Sequence, residues 1–227
     1  MFQGGFKFLG LREFVFTSMT GAALLLASCG TTPLPPDGQT STPRAGIPTV
    51  PNMTPIPRGA LALPDRAAFY QKDPRWGGTS LGGTSDTMAS DGCLVTATSM
   101  ALVNLGFQTN PADLNARLTQ TESFTSRGWL IWDGIRKVTD GRAKAHFYDE
   151  VSEDIINSCI LRGDYPLVQF YLKNGRSHWA VIIKRDARGY HMRDPLRESS
   201  VPLIFPRGSD AFKAVRCVGL SGGATKA

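Results

Sequence analysis

Four residues in this chain have the types and the order that sulfur-based acyl chemistry requires: Gln71, Cys93, His178 and Asp194. Cys93 follows Asp91-Gly92 and stands where a helix is predicted to begin. A helix N-terminus presents unpaired N–H groups and partial positive charge, and both stabilise a thiolate, the nucleophilic form of cysteine. Gly92 is expected to let the backbone turn sharply there, keep the sulfur accessible and form part of a cleft. Position alone would equally suit a buried cysteine that opens a core helix.

His178 begins an apolar run, Ser177-His178-Trp179-Ala180-Val181-Ile182-Ile183, and Asp194 closes the next one, Tyr190-His191-Met192-Arg193-Asp194. The two runs read as a hairpin turning at Ala187-Arg188-Gly189. If the loop is odd in length and Asp194 falls opposite residue 180, the carboxylate shares a face with His178, one diagonal step away. A slip of one residue would place them on opposite faces, and the sequence leaves both registers open. A cysteine with a histidine and an acidic orienter is an established way to activate sulfur. The Cys93 backbone N–H and the Gln71 side-chain amide are the candidate donors to a developing oxyanion. Trp179 is a candidate cleft wall, placed to shield the His178–Asp194 contact from water. His146, His191, Trp76, Trp129 and Trp132 lack comparable context and read as structural, surface or cleft-wall residues.

The elements that must position these groups follow from periodicity. Leu94–Leu105 is predicted as a helix whose stripe of Thr96, Ala97, Met100, Ala101 and Asn104 packs closely on a sheet, with Gly106 as its stop. Asn110-Pro111 opens a second helix to about Leu118, and Gly128–Val138 reads as a third. Residues 143–149 read as a strand, and Ser152–Arg162 as an amphipathic helix capped by Ser152. Strands are then expected at Pro166–Leu172, Ser177–Arg185, Gly189–Arg193, Val201–Phe205 and Ala214–Leu220. Tyr70–Trp76 reads as an extended entry with a turn at Asp73-Pro74, and 77–92 as loop. Helices first and an antiparallel sheet second argue an α+β fold.

Four segments taken in order resemble the peptidase C39-like family of the papain-like cysteine peptidase superfamily. They are Tyr70-Gln71-Lys72-Asp73-Pro74-Arg75-Trp76, Asp91-Gly92-Cys93-Leu94-Val95-Thr96-Ala97-Thr98-Ser99-Met100-Ala101-Leu102, Ser177-His178-Trp179-Ala180-Val181 and Arg193-Asp194-Pro195. The likeness spans about residues 65 to 200. It implies a papain-like fold with the nucleophile helix packed on an antiparallel sheet. It also implies Cys93, His178 and Asp194 as a triad, with Gln71 at the oxyanion hole and no metal or organic cofactor. The chain departs from the family at one point: Gly-Cys-Leu-Val stands where members often carry Gly-Cys-Gly-Pro, so a larger side chain adjoins the sulfur.

The first residues read as an address. Lys7 and Arg12 precede an apolar stretch, Phe14–Ala27, too short to cross a bilayer as a helix. It ends in Leu26-Ala27-Ser28-Cys29-Gly30, which resembles the lipobox of bacterial lipoproteins. That resemblance implies cleavage after Ser28 and lipidation of Cys29, hence an extracytoplasmic, membrane-anchored protein; an ordinary secretory signal is the alternative. Residues 31–64 hold nine prolines among Thr, Ser and Gly, the composition of a mobile tether. The expected organisation is signal 1–28, lipidated cysteine and tether 29–62, and one peptidase domain 63–227. Of the cysteines beyond Cys29, Cys159 and Cys217 read as buried apolar residues or as a disulfide pair, and no CxxC or HxxxH spacing suggests zinc.

With 227 residues, 41% hydrophobic and 19% charged, the chain is neither collagen-like, a coiled coil nor wholly disordered. Its formal charge of +6 comes with no Lys/Arg block, which argues against a nucleic-acid partner. The expected function is a lipid-anchored thiol hydrolase that cleaves peptide amide bonds through an S-acyl intermediate, acting as a monomer on peptide or peptidoglycan-derived substrates. The rivals are a peptidoglycan amidase or endopeptidase, a transglutaminase-like acyl transfer, and a papain-like lipoprotein that binds without catalysis.

Overall fold

In the computed structural model, which describes residues 59–206 and 208–222, helices dominate the first half of the fold and a sheet the second. A short helix α1 (Met88–Asp91) leads into α2 (Cys93–Asn104), followed by α3 (Pro111–Gln120) and α4 (Asp133–Val138). Strand β2 (Ala143–Phe147) precedes α5 (Glu153–Arg162). The chain then runs through β3 (Tyr165–Tyr171), β4 (Ser177–Asp186), β5 (Gly189–Arg193), β6 (Leu203–Phe205) and β7 (Ala214–Leu220). The strand order is β2-β7-β3-β4-β5-β6, with β1 (Leu61–Ala62) added to the far end of β4, and each of these pairings is antiparallel. The fold is α+β.

Local chemistry accounts for the helix ends. The Asn110 side chain accepts from the Asp113 N–H with Pro111 in the first turn, and Ser152 accepts from the Ile155 N–H. Helix α5 stops at Gly163, whose φ of 83° is a left-handed conformation that favours glycine. Alternation along β4 serves two cores. Val181 and Ile183 pack with Val95, Met100 and Leu102 of α2 and Leu114 of α3, whereas Ala180 and Ile182 pack with Ile156 and Ile160 of α5. Thr96, Ala97, Met100, Ala101 and Asn104 are all buried, so α2 is enclosed on the stripe its small residues predicted.

Several expectations need correction. The turn at Asp73-Pro74 is present, with the Trp76 and Gly77 N–H groups bonded to Asp73 O, but the residues before it also turn rather than extend, the Asp73 N–H bonding Tyr70 O. The segment 77–92 contains α1, opened by a reciprocal cap between Thr87 and Ser90. The third helix begins only at Asp133, because Gly128 has a left-handed φ of 74° and Phe124 bridges Leu130 ahead of it. The folded part takes in Leu61 and Ala62, which composition assigns to the tether; they pair with Arg185 and Lys184. Both readings left open for Cys159 and Cys217 hold: the two are buried, and they form a disulfide across a separation of 58 residues. The signal, Cys29 and most of the tether lie outside the described residues.

Candidate active site

Cys93 is the first residue of α2, half-buried, and the one free cysteine among the described residues. What makes the position work is the junction between α1 and α2. Gly92 has an ordinary φ of −76°, so turning is not its task. A Cβ there would stand 2.5 Å from Met88 O and 2.8 Å from Met88 Cα. Gly92 lets the two helices abut, and it is not among the residues lining the two hollows at Cys93.

His178 and Asp194 meet at the end of the sheet. The Nε2 of His178 lies 2.6 Å from Asp194 Oδ1, and the same carboxylate oxygen accepts the Leu196 N–H at 2.9 Å. The hairpin between β4 and β5 pairs Asp186 with Gly189 across a two-residue turn, and Lys184 with His191. Such an even loop would by itself put Asp194 on the wrong face. A β-bulge at Ile183 corrects it: beyond the bulge Ile182 pairs with Met192 and Val181 with Arg193. Asp194 thereby follows in the register opposite Ala180 and on the His178 side. The odd parity supposed from the sequence is realised through the bulge, not the loop.

The imidazole is 1% exposed. Burial disfavours its cation, but hydrogen bonds to Asp194 and to the Cys93 side chain, with the charges of both, outweigh this and lift its pKa to about 9. Burial likewise opposes ionisation of Asp194, yet the His178 contact and the Leu196 N–H hold its carboxyl below the usual range. With Nε2 committed to Asp194, Nδ1 is the nitrogen left for sulfur. The cover over the ring is Phe170, its cross-strand partner on β3, edge-to-face at 5.3 Å. Trp179 does not provide that shield: strand alternation turns it to the other face, where it packs against Trp132 at 5.5 Å between ring centres.

Gln71 is buried, its N–H bonded to Pro195 O at 2.8 Å and its Nε2 donating to Ala89 O at 2.9 Å. It is thus tied to the segment after the acid and to helix α1, just before the nucleophile. A primary amide carries two donors, so Nε2 has one N–H left beyond the Ala89 bond. Gln71, Cys93 and His178 line one hollow of about 250 Å³, with Lys72, Arg176 and Leu196. A second hollow of about 440 Å³ opens from the same sulfur between Trp129, Trp132 and Trp179, with Leu94, Phe124 and Leu130. Cys93, Asp91 and Ser177 belong to both.

Four of the sequence-selected residues therefore converge, and Trp179 lines the larger hollow beside Cys93. His146 lies on β2 opposite Cys217, away from these groups, while His191 is buried with its Nε2 2.9 Å from Asp186 Oδ2. Sequence reasoning missed Lys72, Arg176 and the bulge at Ile183. Lys72 adjoins Gln71 and offered a signal; Arg176 and Ile183 offered none without a register. The chain matches no protein-family model and no curated protein sequence. Among solved structures it is similar to a "putative C39-like peptidase from Bacillus anthracis", at 14% identity and a TM-score of 0.46, covering 70% of this chain and 96% of that one.

Proposed function

We propose that this chain is a cysteine hydrolase of papain-like type that cleaves amide bonds through a thioester. The observation that carries the reading is one buried imidazole held by the Asp194 carboxylate at 2.6 Å and lining the same hollow as a half-buried, helix-opening cysteine. The reacting form is the one in which His178 holds the proton and the Cys93 sulfur is the thiolate nucleophile. The sulfur attacks the substrate carbonyl carbon, an S–C bond forms, and the carbonyl oxygen takes the negative charge. The Cys93 N–H and the second Gln71 Nε2–H stabilise that oxygen. His178 gives its proton to the amide nitrogen, the C–N bond breaks, and the amine leaves. A water molecule then gives a proton to His178 and its oxygen to the thioester carbon, releasing the acid and restoring the ion pair. Asp194 keeps the ring aimed and supports its charge throughout.

Lipid anchoring through Cys29 and an extracytoplasmic location complete the reading. The Leu26-Ala27-Ser28-Cys29 string supports the first, and the Cys159–Cys217 disulfide supports the second, since such bonds persist outside a reducing cytoplasm. The test is hydrolysis of a mixed peptide library and of muropeptides by the wild type and by Cys93→Ala. Alkylation of Cys93 by iodoacetamide at pH 6 is measured beside it in wild type and His178→Ala. Cleavage that needs Cys93, with alkylation slowed by His178→Ala, is expected. No cleavage, together with alkylation indifferent to His178, would leave a domain that only binds.

A further inference from the structure

We infer that the site takes amides of fixed polarity: a bulky apolar or aromatic acyl half in the tryptophan-lined hollow, and an amine half bearing a carboxylate in the hollow of Lys72 and Arg176. The inference rests on the hydrolase reading above and adds the substrate class.

The direction follows from proton delivery. The sulfur opens onto both hollows, so a bound amide passes over it with one half in each. The group that must protonate the departing nitrogen, His178, lines only the smaller hollow. The amine half therefore lies there, and the acyl half that stays on sulfur lies in the larger one.

Each hollow has its own chemistry. The larger is walled by the Trp132–Trp179 pair and by Trp129, which is 65% exposed. An indole left in water beside a reactive sulfur gains most from an apolar or aromatic group laid against it. The smaller hollow is cationic. Lys72 forms no ion pair with a described residue. Arg176 is held in place through Nη2, which bonds both Ser90 O and Asp91 Oδ1 at 3.0 Å. Lys72 and Arg176 against the one carboxylate of Asp91 leave an excess positive charge around the departing amine, which a carboxylate on that half would meet.

The carboxylate can be a free C-terminus or an acidic side chain, and the test separates them. Peptides with Phe or Gly as the acyl residue are joined to a glycine amine half, free or amidated, or to a Glu-amide, and kcat/KM is measured for each. Phe over Gly is expected to be favoured by at least about tenfold, the scale of lost apolar contact in a pocket. Free Gly or Glu-amide over Gly-amide is expected to be favoured by about fivefold, the upper scale of an exposed charge pair, and less at high salt. Whichever carboxylate gains more names the source. Lys72→Gln should collapse the carboxylate preference, and Trp129→Ala the Phe preference. Cleavage of all peptides at similar rates, or preference for Gly over Phe as the acyl residue, overturns the polarity while leaving the hydrolase standing. No cleavage of any, with His178-independent alkylation, removes both.

Discussion

His178 is where the electrostatics of the site concentrate, because its charge depends on two partners at once. Its pKa is lifted to about 9, above the ordinary 6.5, so the proton is bound more tightly in the folded chain. The associated stability is fully present below about pH 6.5 and is lost as pH rises through about 9, and kcat/KM should fall on that same limb. Asp194→Asn keeps the shape of the side chain but loses the charge; it should lower kcat by roughly 10²–10⁴-fold and move the alkaline limb of the profile to lower pH. A purely structural role for Asp194 would lower the melting temperature and leave the limb in place. Gln71→Ala should cost about 10²–10³-fold in kcat with little change in KM, as removal of one oxyanion donor does.

Elements, rather than single residues, bring the carboxylate to the ring. The β4–β5 turn has the wrong parity, and the bulge at Ile183 repairs it. One glycine inserted between Met192 and Arg193 should slide Asp194 onto the opposite face, giving a loss of kcat at least equal to that of Asp194→Ala while the far-ultraviolet circular dichroism is retained. The α1–α2 junction is the other point of precision. In Gly92→Ala the new methyl meets the Met88 backbone, so α2 must shift; a loss of about 1–3 kcal/mol in urea unfolding and slower alkylation of Cys93 are expected together. Unchanged alkylation would show that the sulfur does not depend on that junction.

At the scale of the whole molecule, the sheet is covered by α2, α3 and α4 on one core and by α5 on the other, and the disulfide ties α5 to β7 within the second. Closing a loop of 58 residues constrains the unfolded chain, so Cys159→Ala/Cys217→Ala should lower stability by about 2–5 kcal/mol in urea titration. Neither cysteine lines either hollow, so activity at low temperature should survive that change. Wild-type activity abolished by mild reduction of this bond at low temperature would instead tie the second core to the site.

Much of this was legible in residue order alone. Asn110-Pro111 and Ser152 marked helix starts, apolar alternation marked β3 to β7, and the small residues of α2 announced close packing, because each is a local signal read within a few residues. The order Gln71, Cys93, His178, Asp194 likewise named the four groups that meet. What tertiary structure decided was everything that depends on register or on distant contact. The bulge at Ile183 sets which face Asp194 occupies, and the disulfide fixes which cysteine stays free. The strand pairing of Phe170 with His178 chooses the ring's cover, and the turn carrying Arg176 supplies charge to one hollow only. Pairing partners far apart in the chain leave no periodic trace in either segment, so those relations exist only once the strands have docked.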